Sequence, residues 1–205
     1  GWDREGEWEF GVPLGQGGNG PLNPDPASGA TGSQVYGANL AGDVQAIEGG
    51  PYRLTAGPVD LSLFSTVELS FQRWLNQIGQ PYASMWLEVS ADGSSWSTLW
   101  NHGTEQGVAD DAWQPQSFDV TATLAGAGGA YLRWGYSIDR PTPYAGSGWN
   151  VDDVRLTGAT ETERVRLTVA KASLSWSPVP GAIGYDVVGG DVAALLSSAG
   201  DFSST

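Results

Sequence analysis

Short segments in which apolar and polar residues alternate constrain the fold of this chain more than any other sequence feature. Within Ala83–Ser90 every second residue is apolar, and Trp86 falls on the polar face beside Glu88. Turn-forming pairs such as Asp92-Gly93 separate such segments, and no dozen residues show the period of an α-helix. The sequence therefore predicts an all-β protein with two antiparallel sheets packed as a sandwich. The other predicted strands are Trp8–Phe10, Thr66–Trp74, Trp96–Trp100, Gln116–Leu124, Tyr131–Ile138 and Trp149–Leu156.

The chain has no cysteine, so disulfides, thiol chemistry and cysteine-based zinc sites are excluded. A sandwich without disulfides needs a packed core or a bound metal. Ten Trp, seven Tyr and five Phe among the 205 residues are enough to build such a core.

The formal net charge of −14 narrows the range of partners. A negative field repels phosphate groups, so we expect neither nucleic acid nor a membrane as a partner. No run of 18 apolar residues occurs either. The same field attracts cations, and Ca²⁺ suits a chain rich in carboxylates and loops. The alternative is that the acidic surface only keeps a secreted protein soluble.

A polar segment at Thr160–Arg164 has the composition of a linker between domains. We therefore predict a β-sandwich over residues 1–159, a linker over 160–167 and part of a second domain over 168–205. The first sandwich contains a long loop over Gly11–Gly32, and a loop of that length is uncommon unless it is functional or pinned.

Catalytic side chains are scarce. The only histidine, His102, lies in loop-like sequence without a nucleophile-elbow motif, which argues against a Ser-His-Asp triad. A glycosidase needs only two carboxylates, so a carboxylate-based hydrolase stays open as a weak alternative. Its best candidate is Glu88, beside Trp86, and nothing in the spacing of the other acids selects a partner. We expect no enzymatic activity.

Six segments in order resemble the MAM-like jelly-roll modules of secreted bacterial peptidases and the cleaved-adhesin type of jelly roll. The resemblance spans about 150 residues, and Gly148–Val154 (GWNVDDV) is its most specific part. It implies a jelly-roll sandwich that serves as a non-catalytic accessory domain. The six segments are Trp8–Gly11, Pro24–Pro26, Val35–Asp43, Val59–Ser62, Val89–Trp96 and Gly148–Val154.

A second resemblance covers residues 168–205, where Leu174–Trp176 and Gly184–Val187 are similar to the first strands of a fibronectin type III domain. That fold needs about 100 residues, so the second domain is incomplete here. We expect this tail to be poorly ordered or to pair opportunistically with the first domain.

The jelly-roll resemblance also implies a structural cation between the first and last strands. It places Glu9 and Asp153 at that site, and Asp43 and Asp152 are further candidate oxygen ligands. Ca²⁺ takes six to eight oxygen ligands, and a site of this kind pins loops that lack disulfides. The alternative is that one of Asp152 and Asp153 faces solvent while the other binds backbone amides.

Aromatic residues on a polar face or at strand ends offer a second kind of site. Trp86, Trp100, Trp113 and Tyr144 are the candidates for a carbohydrate surface, because flat rings pack against sugar C–H groups. Packing inside the sandwich is the alternative for each of them.

Two function classes therefore stand. The first is a structural or interaction module of a secreted or cell-surface bacterial peptidase or adhesin, stabilised by Ca²⁺, whose partners are neighbouring domains or a protein. The second is a carbohydrate-binding module, which predicts at least two exposed coplanar rings. We expect an extracellular or cell-surface location.

Overall fold

The computed structural model describes residues 1–160, 167–170 and 173–176. The chain divides into two compact units, Gly1–Glu161 and Thr162–Thr205. The first unit consists of strands joined by loops, with one helical turn. Its elements are β1 (Trp2–Arg4), β2 (Trp8–Gly11), β3 (Val35–Ala38), β4 (Gly49–Val59), β5 (Glu68–Gln77), β6 (Ala83–Ser90), β7 (Ser97–His102), β8 (Val108–Ala109), β9 (Gln114–Asp119), α1 (Thr121–Leu124), β10 (Ala130–Ile138) and β11 (Gly148–Thr157).

The strands form two sheets in which all neighbours are antiparallel. Sheet A has the order β1-β4-β10-β6-β7, and sheet B has the order β2-β3-β11-β5, with β8 and β9 both pairing with β5. Neighbours in each sheet are mostly distant in sequence, as in a jelly roll. The fold is therefore all-β, a two-sheet jelly-roll sandwich, as the sequence predicted.

The core lies between the two sheets because each sheet turns its apolar residues inward. Trp134 on β10 and Trp149 on β11 are 0% and 1% exposed. Phe71 on β5 packs edge-on against Trp134, with ring centroids 5.4 Å apart. Full burial of a large side chain stabilises the fold by roughly 1.5–3 kcal/mol, so these rings replace the missing disulfides.

The first strands belong to different sheets. β1 pairs with β4 in sheet A, and β2 pairs with β3 in sheet B. Trp2 of β1 stacks on Tyr36 of β3 at 4.1 Å and approaches Trp134 at 5.9 Å. The beginning of the chain therefore ties the two sheets together at one side of the sandwich.

A long loop, residues 12–34, connects β2 to β3 and covers the outer face of sheet B. Its backbone is pinned at several points, for example by the Leu14 amide, which donates to the Leu40 carbonyl at 2.9 Å. The indole N–H of Trp74 on β5 donates to the Pro24 carbonyl at 2.9 Å. Trp74 points away from the core, so the loop lies on the outside of the sheet.

Two local predictions differ from the structure. The strand predicted over Gln116–Leu124 ends at Asp119, and Thr121–Leu124 forms a helical turn instead. Thr121 stabilises that turn, because its backbone N–H donates to the Asp119 carboxylate at 3.0 Å. β4 was not predicted, because its Gly and Pro residues at 49–51 and 57–58 are typical of turns.

In the second unit the structure describes an antiparallel hairpin of β12 (Leu167–Ala170) and β13 (Ser173–Trp176). Residues 177–205, which carry most of the predicted fibronectin-like segment, lie outside the described residues. The predicted domain limits and the prediction of a poorly ordered tail therefore stay predictions. No helix in the described part of the chain is long and apolar enough to cross a membrane.

Candidate functional site

Trp86 lies on the outer face of sheet A, as the alternation in β6 predicted. Its neighbours Met85 and Leu87 are 0% and 1% exposed and face the core. Trp86 stands opposite Gly135 of β10 in register, and a Cβ atom at Gly135 would collide with the indole ring. The absence of a side chain at Gly135 therefore lets the ring cover the sheet surface at a fixed place.

Two depressions meet at Trp86. One extends toward β7 with a volume of about 610 Å³, and the other extends toward β4 with a volume of about 760 Å³. Both share Ser84 and Trp86, so together they form one groove across the strands, called here the Trp86 groove. The β7 side is also lined by Gln80, Glu88, Thr98, Asn101, Gly103 and Glu105. The β4 side is also lined by Glu48, Gly49, Gly50, Pro51, Ser137, Ile138 and Asp139.

A hydrogen-bond network fixes the polar groups at the centre of the groove. The hydroxyls of Ser84 and Ser137 each donate to the Asp139 carboxylate, at 2.6 Å in both cases. The Gln80 amide donates to the Ser84 hydroxyl at 2.5 Å. These groups are therefore oriented before any ligand arrives, which lowers the entropic cost of binding.

Glu88 is engaged in an ion pair. Arg133 of β10 donates to its Oε2 from Nε at 3.0 Å and from Nη2 at 2.8 Å. The guanidinium also lies 3.6 Å from the ring centroid of Trp96. Glu88, the best sequence candidate for a catalytic acid, thus serves a structural contact on the sheet surface.

Asp110 and the histidine are engaged in structural contacts too. Asp110 is 8% exposed and accepts two hydrogen bonds from Arg73, at 2.9 and 3.0 Å. His102 Nε2 lies 2.5 Å from the Gln106 carbonyl within its own loop. The partners of Asp110 and His102 in these contacts are an arginine and a backbone carbonyl, and neither partner is a nucleophile or a second acid.

The four aromatic candidates do not form one platform, which corrects the prediction of two coplanar exposed rings. Trp100 is partly buried and packs against the core, edge-on to Trp149 at 5.6 Å. Trp113 packs against Trp74 at 5.8 Å, on the opposite side of the molecule from Trp86. Tyr144 covers Gly20 in the loop region. Trp86 is the candidate that stands in a groove.

A second arrangement of polar groups lies on the outer face of sheet B, under the loop of residues 12–34. Glu9 of β2, Gly37 of β3 and Asn150 of β11 are opposite one another in register and form one row. A Cβ atom at Gly37 would collide with Asn150 Oδ1. The side chains of Asn150 and Leu40 therefore lie directly over Gly37, where only glycine fits.

Asp25 of the loop contacts Asn150 of this row. It is 3% exposed, and its Oδ1 accepts a hydrogen bond from Asn150 Nδ2 at 2.7 Å. Asp25 Oδ2 and Asn150 Oδ1 are both buried without a hydrogen-bond partner. Two buried oxygens that carry negative or partial negative charge and have no hydrogen-bond donor destabilise the fold, unless a proton or a cation neutralises them.

The electrostatics of Asp25 agree with that geometry. The pKa of Asp25 lies at about 7, above its ordinary value of 3.8: burial is the main cause, the hydrogen bond from Asn150 opposes it, and the nearby carboxylates of Asp43 and Glu9 add to it. Glu9 also accepts a hydrogen bond from the Leu40 amide at 2.7 Å through Oε1. We call Glu9, Asp25 and Asn150 the oxygen pocket.

The structure places the four predicted cation ligands differently. Asp43 accepts hydrogen bonds from Gly18 N and Asn19 Nδ2, both at 2.5 Å, and so pins the loop. Asp152 and Asp153 bind Thr31, at 3.2 Å to its backbone amide and 2.7 Å to its hydroxyl. In the described part of the chain, no three acidic, histidine or cysteine side chains gather as a metal-binding group. Glu9 is the predicted ligand that belongs to the pocket.

Sequence reasoning missed Asp25 and Asn150. Asp25 lies between two prolines, a pattern typical of a turn rather than of a ligand site. Asn150 belongs to a run in which every residue from Gly148 to Val151 is buried, so alternation is hidden there. Its position between the core residues Trp149 and Val151 is the one signal that it faces outward.

No protein-family model and no curated protein matches the chain. Several solved structures are similar to it. A family 61 carbohydrate-binding module in complex with β-1,4-galactotriose is 14% identical with a TM-score of 0.43, over 77% of this chain and 88% of that chain. The K3 cleaved adhesin domain of Lys-gingipain from Porphyromonas gingivalis is 12% identical with a TM-score of 0.43, over 77% and 98%.

The protein SGBP-B, from a complex xyloglucan utilization locus in Bacteroides uniformis, is 12% identical with a TM-score of 0.47, over 77% of this chain and 47% of that chain. Structural neighbours of this chain thus include both carbohydrate-binding modules and adhesin domains. With TM-scores below 0.5, these likenesses carry no argument about what this chain binds.

Proposed function

We propose that this domain is a non-catalytic accessory module that binds carbohydrate in the Trp86 groove. The observation that carries the proposal is the Trp86 ring, which is held over Gly135 between two depressions lined by hydroxyl, amide and carboxylate groups. Sugars present apolar C–H faces and hydroxyl groups, and this combination of surfaces matches both.

The groove has the size for an oligosaccharide. Each depression alone falls within the range of roughly 300–1,000 Å³ that small-ligand sites occupy. Because Trp86 and Ser84 line both, a sugar stacked on Trp86 has neighbours on either side. A chain segment of several sugars therefore fits better than a single sugar.

The setting of the module stays part of the proposal. The chain continues into a second compact unit, which is the arrangement of a domain within a multidomain protein. We place the parent protein outside the cell or on its surface, where polysaccharides occur. The neighbouring domain and a glycan are then its partners.

Affinity electrophoresis of the full chain in gels that contain xylan, galactan, β-glucan or mannan tests the proposal. We expect retardation by at least one of these polymers, and a loss of roughly 10- to 100-fold in affinity for Trp86→Ala, equivalent to about 1.4–2.7 kcal/mol, because the substitution removes the ring face on which a sugar stacks. Trp113→Ala is the matched control, since it removes a half-buried indole from the other sheet. Equal retardation of wild type and Trp86→Ala contradicts the proposal.

We further propose that Ca²⁺ binds in the oxygen pocket and stabilises the fold. Glu9, Asp25 and Asn150 offer oxygen ligands of the kind Ca²⁺ prefers, and backbone carbonyls or water complete a shell of six to eight. Their residues come from β2, the loop and β11, so the ion would join both ends of the domain. The buried, unpartnered oxygens of Asp25 and Asn150 support this proposal.

Thermal unfolding in EDTA and in excess Ca²⁺ measures that role. At a Ca²⁺ concentration 100 times its Kd we expect a gain of about 2.7 kcal/mol in the free energy of unfolding. Asp25→Ala is expected to remove the gain. Asp152→Ala is the control, because it removes a carboxylate that binds the Thr31 amide outside the pocket, and it is expected to retain the gain. The ligand assignment fails if Asp152→Ala abolishes the gain and Asp25→Ala does not.

A further inference from the structure

We propose that the Trp86 groove accepts uncharged sugar chains and excludes chains that carry carboxylate or sulfate groups, a specificity that rests on the carbohydrate-binding function proposed above. The groove holds acidic groups on both sides of Trp86. Glu48 and Asp139 line the β4 side, and Glu88 and Glu105 line the β7 side.

Among the residues that the structure describes, no Lys or Arg lines either depression. Arg133 stands opposite Glu88 in register, but two of its three nitrogens, Nε and Nη2, bind Glu88, and the face of its guanidinium packs against Trp96. Recognition of an acidic sugar normally requires an Arg or Lys whose donors are available to the ligand. The described lining of the groove therefore offers no free cationic side chain to an anionic group.

The remaining acidic side chains stand at the surface of the groove. Glu48, Glu105 and Asp139 are exposed, so a ligand in the groove meets them directly. Asp139 is fixed at the centre of the groove by the hydroxyls of Ser84 and Ser137. An anionic sugar cannot occupy the β4 side without approaching it.

The size of the effect follows from Coulomb's law. A ligand carboxylate about 5 Å from one of these groups is repelled by roughly 0.8 kcal/mol in water, which is about a fourfold loss in affinity. If a ligand has two such carboxylates, each close to one acidic group, the two losses in affinity multiply to more than tenfold at low ionic strength. Salt screens the repulsion, so the loss shrinks as the ionic strength rises.

Derivatives of the bound polysaccharide test the inference. Each polymer retained in the electrophoresis screen is carboxymethylated or hydroxyethylated to the same degree of substitution, so that the two products are similar in bulk and differ in charge. We expect the carboxymethyl product to bind at least tenfold more weakly than the hydroxyethyl product in low salt, and the ratio to fall in 0.5 M salt, where the screening length is only a few ångströms.

A charge variant locates the effect in the groove. Glu48→Gln combined with Glu105→Gln removes two charges from it, and we expect the ratio between the two products to fall by severalfold. Glu68→Gln combined with Asp111→Asn removes two charges from the sheet B side and leaves the ratio unchanged. An equal fall in both double variants shows an effect of net charge and overturns the inference.

The outcomes separate the two proposals. If a neutral polymer binds in a Trp86-dependent manner and its carboxymethyl product binds equally well in low salt, the charge specificity is wrong and the carbohydrate-binding function stands. If no polymer binds, the proposed function fails and the specificity fails with it.

Discussion

The outer faces of the two sheets show how one strand pattern leads to two different surfaces. On sheet A the outward residues of β6 remain accessible, and Trp86 stands between two open depressions. On sheet B the outward residue Asn150 of β11 is 0% exposed, because the loop of residues 12–34 lies over it. An open face can receive a ligand, whereas a covered polar face must satisfy its own polar groups. This contrast is why we propose recognition for sheet A and stabilisation for sheet B.

The largest effect that separates the two faces is expected in the pH dependence of stability without metal. The folded-state pKa of Asp25 is about 7, above its ordinary value of 3.8, so the folded protein retains a proton that the unfolded chain loses between these values. The free energy of unfolding in EDTA should then fall by up to about 4 kcal/mol as the pH rises from 4 to 7. Denaturant titrations across this range measure the slope.

Asp25→Asn is the control for that prediction, since it has no titrating group and should lose the slope while it keeps the shape of the side chain. Bound Ca²⁺ requires an ionised Asp25, so excess Ca²⁺ should also flatten the slope. A wild-type slope in EDTA equal to that of Asp25→Asn would show that the pocket does not hold Asp25 in the way described.

The next largest effect concerns the close packing at Gly37 on the outer face of sheet B. Gly37→Ala inserts a Cβ against Asn150 Oδ1 and Leu40. We expect a loss of roughly 1–3 kcal/mol in the free energy of unfolding, together with loss of the response to Ca²⁺, because crowding shifts the pocket. Sugar binding at Trp86 should be unaffected, since it depends on the other sheet.

Gly128→Ala is the matched change, because no heavy atom lies within 4 Å of a Cβ built there. It should leave both the stability and the response to Ca²⁺ close to wild type. If Gly37→Ala changes the stability and the response to Ca²⁺ no more than Gly128→Ala does, the close packing at Gly37 has no function in the oxygen pocket.

The smallest expected effect concerns the ion pair between Glu88 and Arg133 on sheet A. Glu88→Gln breaks the ion pair with Arg133, whose side chains are 16% and 18% exposed, and should cost about 1 kcal/mol or less in stability. It also makes the Arg133 guanidinium available to a ligand. Binding of carboxymethylated polymer should therefore increase relative to hydroxyethylated polymer, measured by affinity electrophoresis, and an unchanged ratio would contradict the role given to Arg133.

The sequence allowed the fold and the orientation of Trp86 to be predicted because alternation in β6 reports directly which residues face the core. Trp100 was predicted to be accessible because it lies at the end of a predicted strand, and local sequence did not reveal its packing against the core. Leu99 is an extra residue in β7, so the register shifts and Trp100 stands opposite the buried Leu87. A β-bulge of this kind leaves no mark in the alternation of one strand.

The oxygen pocket could be predicted only in part. Glu9 was expected from the resemblance, but Asp25 reaches Asn150 through the path of a 23-residue loop, 12–34, which no periodicity describes. The roles of Gly37 and Gly135 depend on which residue stands opposite them in a neighbouring strand. Strand order and register are long-range properties, and local sequence patterns do not contain them.

The division of β1 and β2 between the two sheets has a consequence for mechanical load. A force that pulls on the N-terminal end must first peel β1 from β4 and break the stack of Trp2 on Tyr36. The tension then passes to β2 and, through it, to the edge of sheet B. A force applied from this end therefore meets two successive barriers, one in each sheet. The second barrier is the pairing of β2, the strand that carries Glu9.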